Sequence, residues 1–362
     1  MRFTLDGSDE LESRIAADMA RIRAAVLESV GEDALTALIL GGGYGRGEGG
    51  VFLVDGQEQV YNDYDFFVVV PYSSRRRRNA LSAGLNKVKA AMEPHCGIHV
   101  DFGPPVPRSQ LGTQPYELMF MELQAGYHVV YGPENILDEM PDYDTQRPPL
   151  EECARLFMNR GVGLHLAETV LSERGVSDRE DYEFVIRNIY KGLMAAGDSV
   201  LFVTENYSPS YVARRDRLTE ADLSEVPDGD RLREAFLASI EFKLHPQHDV
   251  PANKSIEEWH REVKALFGQL FLWHERHRLK QPRMTWSDYM ELPKRLPQLS
   301  SQQMPINIYR NLRTRIDGLP TLNELTLHPR DRILKRLPHV LFGEAPAAQD
   351  DPLMMHLWNY YG

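Results

Sequence analysis

Apolar residues at Leu11, Ile15, Met19, Ile22 and Val26 recur at the spacing of one helical face, so Leu11 to Val30 is predicted to be an amphipathic helix. A short apolar run, Ala34 to Leu40, predicts a first strand. It ends in Gly41-Gly42-Gly43-Tyr44-Gly45-Arg46-Gly47-Glu48-Gly49, read here as a glycine turn. Val51 to Tyr61 is predicted to fold back on itself about Asp55-Gly56, a strong hairpin signal. Phe66 to Val70 is apolar at every position, as in a central strand covered on both faces. A helix from about Ser74 to Met92 and a strand from Ile98 to Phe102, closed by Pro104, Pro105 and Pro107, continue a compact α/β unit. Tyr116 to Tyr131 adds a helix and a short strand.

The Pro-rich, acidic stretch Pro141 to Pro149 is the predicted domain boundary. Beyond it the pattern turns helical. Ser177-Asp178-Arg179-Glu180 and Ser255-Ile256-Glu257-Glu258 both fit a capping box. Helix-period apolar sets follow each: Val185, Ile189, Leu193 and Ala196 after the first, Trp259, Val263, Leu266 and Leu270 after the second. Gly343 to Pro352 reads as a flexible spacer before the aromatic run Leu357-Trp358-Asn359-Tyr360-Tyr361. The predicted division is an N-terminal helix at 1–33, an α/β domain with a short mixed sheet at 34–145, an all-α domain at 146–342, and a C-terminal tail at 343–362.

Composition narrows the partners. At 362 residues and 42% hydrophobic content the chain can bury two cores. A formal charge of −12 disfavours long nucleic acid, whose binders carry positive surfaces. No apolar run approaches the roughly 20 residues of a membrane helix, and the acidic N-terminus lacks signal-peptide character. A cytoplasmic protein that meets no membrane is the expectation. Cys96 and Cys153 are expected to be reduced and structural.

The candidate chemistry sits where polar residues interrupt the strands. Alternation puts Asp63 and Asp65 on one strand face with Tyr64 pointing away, so both carboxylates can reach the same metal pair. Asp101, inside the apolar run His99-Val100-Asp101-Phe102, is an isolated acid that needs compensation if buried, which suits a third ligand. Carboxylates favour a hard cation such as magnesium. Two such ions about 4 Å apart would activate an acceptor hydroxyl and neutralise a pyrophosphate leaving group. Glycines without Cβ let backbone amides approach phosphate oxygens.

This combination resembles the DNA polymerase β-like nucleotidyltransferase superfamily. Gly42-Gly43-Tyr44-Gly45-Arg46-Gly47-Glu48 looks like its glycine motif, Asp63-Tyr64-Asp65 its paired acids, and Asp101 its third acid. The likeness covers residues 34 to 131, and the helical second half is similar in kind to that of antibiotic nucleotidyltransferases. One departure is the separation of about 20 residues between Gly43 and Asp63, longer than in minimal members, which is assigned to the Asp55-Gly56 hairpin. The resemblance implies transfer of a nucleoside monophosphate, with ATP the favoured donor, to a hydroxyl of a small molecule. Asp63, Asp65 and Asp101 would be the catalytic metal ligands for two magnesium ions. Gly42, Gly43, Tyr44, Arg46 and Gly47 would bind the nucleotide, with Glu48 holding Arg46 or the turn in place. Lys191 and Arg187 of the helical domain would add triphosphate contacts, and Tyr207 and Arg214 would extend the same wall. A protein acceptor, or a catalytically idle module that binds nucleotide for regulation, stands as an alternative.

Other matches are weaker. Gly45 to Gly50 fits G-x-G-x-x-G, but Asp65 precedes its strand instead of following one, against a dinucleotide fold. Asp101-Phe102-Gly103 spells a kinase triplet without the elements a kinase needs before it. Arg160 and His165 have the spacing of a helical ribonuclease family, although Gly161 and Gly163 suggest close helix packing instead. His274-Glu275-Arg276-His277 lacks zinc spacing. Arg75 to Arg78 at a helix start, where cations are disfavoured, is either a solvated face or an anion contact.

Overall fold

The computed structural model describes residues 2–145, 147–247, 250–252, 254–296, 304–314, 321–342 and 352–361. In chain order its main elements are α1 (Asp9–Val30), β1 (Ala37–Leu40), α2 (Gly42–Arg46), β2 (Val51–Val54), β3 (Gln57–Val60), β4 (Asp63–Val70), α3 (Arg75–Cys96), β5 (His99–Phe102), β6 (Val106–Pro107), α4 (Leu118–Ala125) and β7 (His128–Tyr131). Helices α5 (Leu150–Thr169), α6 (Arg179–Val203), α7 (Tyr211–Glu220), α8 (Gly229–Leu244), α9 (Ile256–Arg278), α10 (Trp286–Glu291), α11 (Met304–Arg313), α12 (Leu322–Thr326), α13 (Pro329–Phe342) and α14 (Pro352–Tyr361) follow. Two compact units emerge. The first holds Met1–Pro148 together with Ser208–Arg214 and Ile240–Gln247, and the second holds the rest. The helical region is therefore not one continuous stretch, since two of its segments return to the α/β unit.

The first unit is built on a small mixed sheet in the order β5-β4-β1-β7. β4 runs antiparallel to β1 and parallel to β5. Period-2 alternation splits β4 into two faces. Tyr64, Phe66, Val68 and Val70 enter a core shared with Ile15, Met19 and Ile22 of α1 and Leu81, Leu85 and Val88 of α3. The other face carries Asp63, Asp65, Phe67 and Val69, with Phe67 edge-on to Phe120 of α4 at 5.9 Å. The core also buries a polar contact: the Tyr64 hydroxyl donates to Asp18 Oδ2 at 3.2 Å.

The β2–β3 hairpin is present, pairing Val54 with Gln57 around Asp55 (φ 50°) and Gly56 (φ 78°), the left-handed pair that a tight hairpin turn requires. It fills most of the stretch between the glycines and the paired acids. Helix α3 runs past the expected end at Met92, through Pro94, and stops at Gly97 with φ 72°. The glycine turn differs from expectation: Gly42–Arg46 is a short helix, opened by Gly42 and closed by Gly47, both with positive φ.

In the second unit α5, α6 and α9 pack together. A Cβ at Gly161 would lie 2.8 Å from Leu337 of α13, and one at Gly163 would lie 2.3 Å from Asn188 of α6, so the small residues allow close helix approach. The Ser255–Glu258 capping box is formed. The earlier one is shifted by a residue: Asp178, not Ser177, caps α6 by accepting from the amide of Asp181. The spacer expected at Gly343 to Pro352 lies, up to residue 351, outside the described residues. The aromatic run beyond it is a helix, with Met354 and Leu357 buried, that packs on α13. Both cysteines are buried and free, and burial pushes the Cys96 thiol up to about 11. Among the described residues no helix is long and apolar enough to cross a membrane.

Candidate metal centre

Sheet register assembles the acids. Parallel pairing of β4 with β5 sets Asp65 directly beside Asp101, and Asp63 lies two residues earlier on the same face. One carboxylate oxygen from each of Asp63, Asp65 and Asp101 falls within 4.8 Å of the others. Asp65 is exposed and the other two are half-buried. Three carboxylates converging in this way could hold a metal ion, and their oxygens suit a hard cation.

Each acid is held by a neighbour. Asn62, in the left-handed region at φ 82°, donates from its side-chain amide to Asp63 Oδ1. The Asp65 carbonyl accepts from the Gly41 amide at 2.8 Å, tying the start of α2 to β4. A Cβ on Gly42 would stand 2.7 Å from Asp65 Oδ2, so only glycine leaves that carboxylate its place, and φ of +61° adds a second requirement. Asp101 differs from expectation: instead of a buried, isolated acid it is half-exposed, and its Oδ1 accepts from Lys89 Nζ of α3. The hydrogen bond to Asp101 raises the Lys89 pKa, which keeps the ammonium charged. Glu93, one turn on, accepts at 3.1 Å from the amide of Val100 on the sheet's edge strand, and its Oε1 lies 3.7 Å from Lys89 Nζ.

Fit to a metal therefore rests on the donor chemistry, on the space that a Cβ at Gly42 would fill, and on a cation already drawn to Asp101. Asn62, Lys89 and Glu93 had no assigned role in the sequence. An asparagine immediately before the paired acids is a visible cue, because asparagine tolerates the left-handed backbone that Asn62 adopts. No local pattern links Lys89 to Asp101.

Of the remaining glycine-motif residues, Tyr44 is buried, while Gly43 and Gly47 are of intermediate burial. The Tyr44 side chain is 3% exposed, donates to the Gly50 carbonyl and accepts from the Tyr61 amide, each at 2.8 Å. It fastens the hairpin to α2. The Arg46 guanidinium, 6% exposed, lies 3.8 Å from Glu122, 4.0 Å from Glu48 and 5.3 Å from the Tyr211 ring. Arg46, expected to orient phosphates, thus lies in a sequestered ion cluster. Glu48 takes the structural role: it accepts from the Tyr211 amide at 2.9 Å and the Val212 amide at 3.3 Å, which fastens Ser208–Arg214 to the first unit. Arg214 joins the same cluster, 3.6 Å from Glu122 and 4.5 Å from the Tyr211 ring. Gly43 and Gly47 contribute close backbone packing, a Cβ on each lying 2.9 Å from Glu48 O and 3.0 Å from Arg2 O.

Arg187 and Lys191 are half-buried residues of α6 in the second unit. Asp198 of the same helix is 2% exposed. His165 is 3% exposed and belongs to the packing of α5. His274 and Glu275 are fully buried, with Glu275 held by Arg278 at 2.6 Å. At the start of α3, Arg77 stacks on Tyr72 at 4.0 Å and Arg78 donates to the Pro105 carbonyl at 3.3 Å.

No protein-family model matches the chain, and no curated protein is significantly similar to it. Function is therefore argued from the carboxylate cluster itself.

Proposed function

We propose that the protein is a metal-dependent nucleotidyltransferase that moves a nucleoside monophosphate, with ATP the favoured donor, to a hydroxyl of a small molecule and releases pyrophosphate. The observation that carries this reading is the convergence of Asp63, Asp65 and Asp101 within 4.8 Å on one sheet face. The polymerase β-like resemblance of the motifs agrees with it, and the small mixed sheet and helical unit are compatible. Magnesium ions bound there would polarise the acceptor hydroxyl and neutralise charge on the leaving group. Asp63 and Asp65 would hold the metals. Asp101 would complete one site and accept the acceptor's proton. Gly42 keeps the ground beside Asp65 clear, and Asn62 holds the Asp63 carboxylate. The nucleotide would meet a face of carboxylates whose charge the metals would balance.

The test is incubation of purified protein with magnesium, α-labelled triphosphates and fractionated metabolite pools. Acceptor-dependent release of pyrophosphate, with label in a small molecule, is expected from the wild type and lost in Asp65→Asn. Label carried by protein instead would make the acceptor a polypeptide. Normal turnover in Asp65→Asn, or no release with any triphosphate, contradicts the proposal.

A further inference from the structure

We propose that Lys89 is an exchangeable cation of the carboxylate cluster: it occupies Asp101 when no metal is there and shifts to Glu93 when a metal arrives. The inference rests on the metal-centre reading above. The Lys89 ammonium donates to Asp101 Oδ1, the acid that pairs in register with Asp65. The same Nζ is only 3.7 Å from Glu93 Oε1 on the next turn of α3. A lysine head on a flexible stem with rotatable donors can pass between two acceptors at that separation. Its charge is never stranded, because one carboxylate receives it as the other is vacated.

Energetics favour exchange. The Lys89 and Asp101 side chains are 34% and 49% exposed, and a surface pair of this kind strengthens an equilibrium by no more than about fivefold. A divalent ion shared by three carboxylates offers Asp101 twice the charge. Of the three acids, it is Asp101 that Lys89 hydrogen-bonds. The metal position that needs Asp101 therefore fills only as Lys89 withdraws. Glu93 meanwhile keeps β5 in register through the Val100 amide, so the exchange moves a side chain and leaves the strand in place.

The experiment is titration of full-length protein with Mn²⁺, read by the electron paramagnetic resonance signal of the free ion. Wild type, Lys89→Met, Lys89→Gln, Glu93→Gln and Asp63→Asn are compared, with folding checked by circular dichroism. Removing the competitor in Lys89→Met or Lys89→Gln should tighten Mn²⁺ binding by about twofold to fivefold. Glu93→Gln, which keeps an acceptor for Val100 but loses the charge that receives Lys89, should weaken it. Unchanged or weaker binding in both Lys89 variants, while wild-type binding depends on Asp63, overturns the exchange and leaves the metal centre standing. Absence of Asp63-dependent binding in every variant overturns both.

Discussion

Replacing Gly42 with alanine separates the strain of a backbone from the chemistry of a site. At φ +61° an alanine pays the left-handed penalty of about 1–2 kcal/mol. Its Cβ would also stand 2.7 Å from Asp65 Oδ2, closer than a carbon and an oxygen tolerate. Because that oxygen ends a short side chain, the carboxylate can rotate aside for about 0.5–1.5 kcal/mol. The stability loss should then total about 1.5–3.5 kcal/mol. Rotation takes Asp65 out of the three-acid cluster, and disturbing a ligand's support costs about 10–100-fold in metal affinity. Gly56 supplies the control. Its φ is +78° and a Cβ there meets nothing within 4 Å, so Gly56→Ala carries the same backbone cost without the contact. Thermal unfolding together with Mn²⁺ titration should show both variants destabilised and only Gly42→Ala deficient in metal binding. Wild-type affinity in Gly42→Ala, or an equal loss in Gly56→Ala, would refute the idea that this glycine exists to make room for Asp65.

Tyr44→Phe removes the hydroxyl that serves both the Gly50 carbonyl and the Tyr61 amide, so it should cost about 1–3 kcal/mol in urea unfolding. A change within error would show that water replaces both bonds. Asp101→Asn should lower turnover by at least about 100-fold with the fold intact, the scale of a positioned proton acceptor; near-normal kinetics would return Asp101 to the sheet. In the second unit, burial alone would raise the Glu275 carboxyl, but the charge and paired hydrogen bonds of Arg278 bring it down from the ordinary 4.5 to about 2. A lowered folded-state value means that its stabilisation is complete above pH 4.5 and is lost as the pH falls toward 2. Unfolding free energy measured across that window should fall more steeply in the wild type than in Glu275→Gln, and equal slopes would contradict the assignment.

The site's acids were readable because each lies in a strand, where alternation alone fixes the face. Asp63 and Asp65 share a face by period 2, and parallel pairing adds Asp101 with one register. The hairpin was equally local, since Asp55-Gly56 prescribes its turn. What the sequence hid is long-range. Lys89 meets Asp101 because α3 packs beside β5, and nothing in twelve residues of separation marks the pair. Glu48 was correctly suspected of a structural role, yet its partners lie 162 to 164 residues away. Arg46 and Arg214 are likewise enclosed by Glu122 and Tyr211, and Glu122 is remote from both in sequence. The glycine turn was misjudged for a different reason: glycine is a poor helix former, and tertiary contacts override that preference in a helix of five residues.

The most direct test of the metal centre is an anomalous-scattering map from crystals grown with Mn²⁺ and a non-hydrolysable nucleoside triphosphate. The account predicts manganese peaks within about 2.5 Å of the Asp63, Asp65 and Asp101 carboxylates, the triphosphate bridging them, and Lys89 turned to Glu93. Triphosphate bound elsewhere, or density at the acids with no anomalous signal, would contradict it.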